Sequence, residues 1–360
     1  MIFLAAFLYL VTPDSSYWIS RDSLISDVLD FTFNERYAEA RTLVDDYIRN
    51  FPQDPAGYLL RAALFDYYML DFSTDRLERQ FFLDLNKTER LSQKMLLRAK
   101  GNLDTLAWAY FFRGASRAYA AIRRGRKKKI VIALRDGIRA LKDLKRALEY
   151  KPDLYDAYLA LGIYDYAISE IPKYFKWLFF LRKKEDRRQK GLEEIRLAAE
   201  KGLYMKIPAL DVLAWVLAYQ GRTREAASIA ERLVEMYPES RSFRWTLAFA
   251  HRRGGRWKEA EKVYDEILYL VLRDQIDCPY CIAVSLYWCA RTKYYLRKYR
   301  EASVYADVAY GLLRLVPSSD SKKSLKRSLL RLKKRLRRKL GPGEGREVPD
   351  FLRQVLENGG

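Results

Sequence analysis

Histidine is almost missing from this chain: among 360 residues only His251 carries an imidazole. A single His leaves no partner for a proton relay and no imidazole cluster for a metal. Cysteine is nearly as scarce: Cys278 and Cys281 supply only half a zinc site, Cys289 falls at a core position, and His251 is the one imidazole. There is no Gly-rich phosphate loop, no G-x-S-x-G and no H-E-x-x-H. Asp and Glu are abundant, but nothing selects a pair for acid–base work. The expectation is a chain that is not an enzyme, with no cofactor and no metal. No run reaches 18 consecutive apolar residues, so no segment is expected to span a bilayer. Asn and Gln are low (five and seven) beside heavy Lys, Arg and Glu, a balance that leans toward a thermophilic source.

What is present is apolar mass and patchy positive charge. Apolar residues form 49% of the chain and aromatics 14%, which excludes disorder by composition. The formal charge is +21, and it is concentrated. Residues 322–339, KKSLKRSLLRLKKRLRRK, hold eleven Lys/Arg and no acid; RRGRKKK at 123–129 adds +6 and RKKEDRRQK at 182–190 adds +4. Charge in patches predicts local contact with an acidic surface rather than a whole-body field. The start, MIFLAAFLYLVTPDSS, carries a ten-residue apolar run from Ile2 to Val11. That length suits a secretory h-region, although no Lys or Arg precedes it and no A-x-A site follows. A signal peptide over 1–16 is expected, and with it a periplasmic or cell-envelope location; without it the chain would be cytoplasmic.

A repeat sets the architecture. GRTREAASIAERLVEMYPES from Gly221 and GRWKEAEKVYDEILYLVLRD from Gly255 share the frame G-R-x-x-E-A, with Ala226 and Ala260 34 residues apart. The frame recurs around Ala40, Ala140 and Ala302, and Pro52, Pro152 and Pro238 each stand twelve residues after the small residue. Further small residues lie at Gly162, Ala214, Ala248 and Ala290. Small residues let two antiparallel helices approach, and Pro, lacking its N–H, cannot continue a helix. These residues resemble the tetratricopeptide repeat family over roughly 20–316, with strict spacing only in 207–272. The resemblance implies an all-α, right-handed superhelical solenoid of antiparallel helix pairs over 17–320, with an insert at 170–190. The order G-x-Y-x-Y, I-P, an aromatic insert, basic residues and G-L-x-x-I is also similar to an outer-membrane-associated eukaryotic branch of that family.

In that family the first helix of each pair lines a concave groove. The resemblance therefore implies a groove lined by Tyr166, by Trp215 and Tyr219, by Trp245, Phe249, Arg252 and Arg253, and by Tyr287, Arg291, Tyr294 and Tyr295. Trp, Tyr and Arg dominate binding hot spots, and Arg there favours a peptide with acidic or C-terminal carboxylate groups. The competing reading is that aromatics at helical spacing are inter-repeat core. The Lys and Asn positions by which chaperone-binding members hold their ligands are not matched.

Two other surfaces stand out. In the insert, Phe175, Trp177, Phe179 and Phe180 are bracketed by Lys and Arg, which suits shallow contact with an anionic membrane interface over 173–184. The bland alternative is an extra hairpin whose aromatics fill the solenoid itself. Residues 321–340 read as a basic amphipathic helix with Leu325, Leu329, Leu332, Leu336 and Leu340 on one stripe, either capping the solenoid or lying on acidic phospholipid. Nucleic acid is the weaker partner, because no aromatic interleaves the bases to stack. GPGEG at 341–345 opens a linker and short tail, 341–360.

The string Cys278-Pro279-Tyr280-Cys281 is that of glutaredoxins. Asp277 as N-cap would place both thiols in a first helical turn, where thiol pKa falls. Yet that redox chemistry needs a βαβ scaffold, and no period-two segment surrounds the string. A structural pair or local disulfide is expected, with thiol–disulfide exchange a remote alternative. Cys289 and His251 fall on core-facing positions. The function expected is a protein-interaction scaffold binding a peptide or protein in the groove, and the alternative is a peripheral adaptor docked on anionic lipid through 173–184 and 322–339.

Overall fold

The computed structural model describes residues 15–170, 186–274 and 278–340. The apolar start, Phe175, Trp177, Phe179, Phe180, Asp277 and the 341–360 tail lie outside the described residues. Every regular element among those described is a helix: α1 (Ser15–Phe33), α2 (Tyr37–Asn50), α3 (Pro55–Asp71), α4 (Glu78–Arg98), α5 (Leu103–Arg126), α6 (Ile130–Tyr150), α7 (Asp156–Glu170), α8 (Arg188–Lys201), α9 (Lys206–Tyr219), α10 (Thr223–Met236), α11 (Arg241–Arg253), α12 (Trp257–Arg273), α13 (Pro279–Tyr295), α14 (Tyr299–Leu312) and α15 (Asp320–Arg337). The all-α expectation holds. The helices form two compact units, Met1–Tyr68 with Arg76–Ile207, and Met69–Asp75 with Pro208–Gly360.

The turns inside the helix pairs share one device. The residue two before the second helix adopts a left-handed backbone at Glu35 (φ 60°), Lys128 (φ 60°), Gly221 (φ 85°), Gly255 (φ 70°) and Arg297 (φ 63°). Glycine reaches that region without strain, and any other residue pays of order 1 kcal/mol there. Only two of the five turns use Gly, which is why the G-R frame is legible in only part of the chain. Helices α2, α6 and α10 end at Asn50, Tyr150 and Met236, each two residues before the Pro that cannot extend them.

In the first unit the pairs meet backbone to backbone. A Cβ on Gly162 of α7 would lie 2.6 Å from the Gly191 carbonyl oxygen of α8, and one on Gly191 would lie 2.7 Å from the Gly162 carbonyl. Gly114 of α5 stands likewise over α6, 2.8 Å from Leu144 Cγ and 3.2 Å from the Ala140 carbonyl for a Cβ placed there. The α5–α6 pair is longer than the repeats of the second unit, with helices of 24 and 21 residues. The extra length is about two turns on each helix, which keeps the same faces together.

The basic stretch 123–129 is met in part from within the protein. Arg123 bonds Glu78 and lies 3.8 Å from Asp66, Arg124 pairs with Asp136, Arg126 with Asp66, and Lys127 with Glu78. Arg123 is itself buried, so these charges join α5 to neighbouring helices. Four of its six cations are thus met by the chain's own carboxylates, while Arg126, Lys127, Lys128 and Lys129 are exposed. Asp143, also buried, is shared in the same way by Arg113 and Arg117.

The second unit stacks α9 through α14 with small residues at each crossing. Ala214, Ala226, Ala248, Ala260, Ala290 and Ala302 are all fully buried. The segment 69–75 belongs to this unit. There Asp71 pairs with buried Arg241, whose other nitrogen bonds Asp274 at 2.7 Å. Helix α15 closes the stack, N-capped by Ser319, whose hydroxyl accepts from Lys322 N. Leu325, Leu329, Leu332 and Leu336 are buried against α14 and α13. Leu340 falls beyond the helix end.

Candidate functional site

The first helices of the three pairs in the second unit, α9, α11 and α13, carry a continuous run of rings and guanidinium groups. It begins with Trp215 and Phe249, stacked with centroids 4.0 Å apart, and Tyr219 closes on Phe249 at 5.1 Å. Arg252 follows, its guanidinium 5.0 Å from the Phe249 ring and 4.5 Å from Trp288. Arg291 covers Trp288 from its own helix at 4.9 Å, and Tyr264 of α12 stacks parallel to the indole at 5.6 Å. A cation over an aromatic face is held by the ring quadrupole, by roughly 0.5–2 kcal/mol according to its exposure. Trp245 packs on the edge of the same Tyr264.

Each implied groove residue has a definite place. Tyr219 and Tyr295 are exposed, at 61% and 40%. Trp215, Trp245, Arg252, Arg291 and Tyr294 are half-buried. Phe249 and Tyr287 are buried, so neither offers a face to a ligand. Phe249 is covered by Trp215, Tyr219 and Arg252, while the Tyr287 hydroxyl accepts from Arg291 Nη1 at 3.3 Å. Arg253 spends its donors on the Ala218 and Tyr219 carbonyls at the end of α9. Tyr295 stacks on Trp257 at 4.0 Å, and Tyr294 leans on Tyr299. Tyr166 belongs to α7 of the first unit, where its backbone borders Gly191. For Phe249 and Tyr287 the inter-repeat alternative is the one observed, while Arg253 is exposed. Trp288 and Tyr264 are central to the run, yet the family groove positions pass over both. The signal that could have found Trp288 was its spacing of three from Arg291 on one helix face.

Electrostatics distinguish two of the cations. Arg244 pairs with Glu266, Arg273 with Glu239 and Asp274, and Arg241 with Asp71 and Asp274. Arg252 and Arg291 have no carboxylate partner among the described residues, and Arg252 Nε is buried without a hydrogen-bond acceptor. Beneath them, burial pushes the Tyr264 phenol up to about 12. At the α9 end Trp215 Nε1 donates to Thr246 Oγ1 (2.8 Å), which donates to Asp211 Oδ1 (2.5 Å). Burial pushes Asp211 up to about 6 against the lowering effect of the Thr246 bond.

Cys278 and Cys281 form a disulfide with Cα atoms 5.2 Å apart, the local bridge that was expected. The α13 N-cap is Cys278 itself rather than Asp277: its sulfur accepts from Cys281 N at 3.1 Å, and Pro279 opens the helix. The two sulfurs lie 3.3 and 3.4 Å from the Phe72 and Asp71 carbonyl oxygens. Cys289 is a free, buried cysteine whose thiol is raised well above its usual range by burial. His251 is buried and accepts from Arg256 Nε at Nδ1 (3.0 Å); burial and that guanidinium lower its pKa, which keeps it neutral. Among the described residues no three His, Cys, Asp or Glu side chains are placed to hold a metal ion. Nor is any described helix long and apolar enough to cross a membrane.

Stacked antiparallel helix pairs with an aromatic face define the class, a helical repeat protein. Residues 212–273 match the tetratricopeptide repeat family model, which names these repeats. The crystal structure of the tetratricopeptide repeat domain of P58(IPK) is similar at 14% identity, covering 87% of this chain and 99% of that one with a TM-score of 0.28. No curated protein matches the chain. Tetratricopeptide repeats are in general protein-interaction scaffolds and typically non-catalytic, and that is the role this chain's repeats support.

Proposed function

We propose that the second unit holds an extended, acidic segment of a partner protein across α9, α11 and α13. The observation that carries this is the Arg252–Trp288–Arg291 cluster: two half-buried cations on one indole, neither matched by a carboxylate among the described residues. A half-buried guanidinium has lost hydration, and an incoming carboxylate restores its hydrogen bonds bidentately. Trp215 and Tyr219 supply apolar area beside it, of the kind that anchors hot spots. The proposed partner-facing set is Trp215, Tyr219, Arg252, Trp288, Arg291 and Tyr295. Location in an oxidising compartment is proposed with it, supported by the Cys278–Cys281 disulfide.

The test is selection from a random twelve-residue peptide library on the intact chain and on Arg252→Gln/Arg291→Gln. Enrichment of peptides with two or more Asp or Glu on the intact chain, weakened tenfold or more on the variant, is the expected result. Equal enrichment on both would refute the assignment of this face.

A further inference from the structure

Helix α15 was expected either to cap the repeats or to lie on acidic phospholipid with its leucine stripe inserted. The structure separates these. The leucine stripe is spent inside the protein: Leu325, Leu329, Leu332 and Leu336 are at most 6% exposed against α14 and α13. Interfacial insertion of an amphipathic helix needs that face free, so α15 cannot enter a bilayer that way while it caps the stack. What it leaves outside is charge.

Of the eleven Lys and Arg in 322–339, two are held by groups outside the helix, and Arg327 Nε donates only to the Lys323 carbonyl of its own helix. Lys322 donates to the Val316 carbonyl, and Lys333 reaches Asp307 at 2.7 Å and covers the Tyr310 ring. The other nine are exposed, and none is ion-paired among the described residues. The acids on the supporting helix are already committed, Asp307 to Lys333 and Glu301 to Lys293. At 100° per residue, Lys323, Arg327, Arg331, Lys334, Arg337 and Arg338 fall on the half of α15 opposite the leucines, with Lys326 on its flank. They form a straight ridge of roughly 22 Å at 1.5 Å per residue.

We propose that this ridge docks the chain on an anionic lipid bilayer by charge alone, without insertion. A straight convex rod with cations along its outer side meets a plane over its whole length. Between 319 and 340 there is no aromatic to stack on a base and no Asn or Gln to bond adenine, which weighs against a nucleic acid as the occupant. Leu330, 47% exposed amid the cations, is the one outward apolar side chain and suits the headgroup level. The surface is independent of the α9–α11–α13 face.

The test is sedimentation of the full chain with phosphatidylcholine vesicles carrying none or 30% phosphatidylglycerol, at low and high salt. The comparison is Lys323→Gln/Arg327→Gln/Arg331→Gln/Lys334→Gln, which leaves every leucine in place; its helix content by circular dichroism shows that the cap is kept. Each base near an anionic surface strengthens partition roughly fivefold, so the variant should lose on the order of several hundredfold. Binding of the intact chain should vanish on neutral vesicles and collapse as salt screens it. The proposal is overturned if anionic vesicles are not bound at low salt, if the folded variant binds as the intact chain does, or if binding survives high salt. A duplex DNA arm completes it: DNA that displaces the chain from vesicles at equal charge concentration would overturn the lipid assignment.

Discussion

The contact of α7 with α8 makes the sharpest prediction about stability. Replacing Gly162 with Ala puts a methyl group 2.6 Å from the Gly191 carbonyl oxygen, 2.9 Å from Ile195 N and 2.8 Å from Ile195 Cγ1. Two of these are backbone atoms of a helix and cannot rotate away, so the helices must part by about 0.5–1 Å, which forfeits a quarter to a half of each local dispersion contact. The neighbours are Leu192 and Ile195, both fully buried. Overpacking of this kind costs about 1–3 kcal/mol, and the helix propensity of Ala returns up to about 1 kcal/mol. Adding the lost dispersion, the net should be about 2 kcal/mol of destabilisation. The internal control is Gly137→Ala on α6, where the new methyl meets only Ala121 Cβ at 3.9 Å. There the propensity gain stands alone, about 0.5–1 kcal/mol of stabilisation. Thermal unfolding followed by far-ultraviolet circular dichroism should move down by about 4–8 °C for Gly162→Ala and up by about 1–4 °C for Gly137→Ala. Equal shifts, or an unaffected Gly162→Ala protein, would refute a backbone contact at this crossing.

Three other outcomes follow from the geometry. Arg297→Gly should stabilise by up to about 1 kcal/mol in urea denaturation and Gly221→Ala should cost about as much, because both positions are left-handed (φ 63° and 85°). Asp211 binds its proton more tightly folded (about 6) than unfolded (about 3.8), so its contribution to stability is full below pH 4 and declines as pH rises through 6. Asp211→Asn, which can still accept from Thr246, should remove that decline and be more stable than the native chain at pH 7.5 by roughly 1–3 kcal/mol; identical pH profiles would contradict it. Alkylation read by mass should label no cysteine in the native chain, two after mild reduction, and Cys289 only on unfolding, since its thiol is buried with a raised pKa.

Much of the fold was legible because its rules act locally. The small residues at each crossing and the Pro after α2, α6 and α10 are written in the sequence at fixed offsets. The turn frame was visible only at Gly221 and Gly255. At Glu35, Lys128 and Arg297 the same left-handed backbone carries a residue that disfavours it, so composition does not announce the turn. Gly114 and Gly191 were missed as crossing residues because lengthened helices and the 170–190 insert moved them off the regular spacing.

The candidate site was half legible. Periodicity identifies which residues share a helix face, but it does not say which of them the neighbouring helix covers. Spacing alone therefore leaves Phe249 and Tyr287 open where the neighbouring helix covers them, and passes over Trp288, one position off the expected set. Charge was subject to the same limit. The stretches 123–129 and 322–339 look alike as runs of Lys and Arg, yet Asp66, Glu78 and Asp136 meet the first while nothing described meets the outward side of the second.

The most direct test of the central claim uses two exposed tyrosines of one unit. Tyr219 lies at the end of α9 beside Trp215, and Tyr269, 64% exposed, lies on the second-helix face of α12. A photocrosslinking residue placed at each, in cells that make the protein, reports which face a partner covers. The account predicts a discrete protein adduct at position 219 that is lost with Arg252→Gln/Arg291→Gln, and none at 269. An adduct at 269 alone, or one at 219 indifferent to the two arginines, would contradict it.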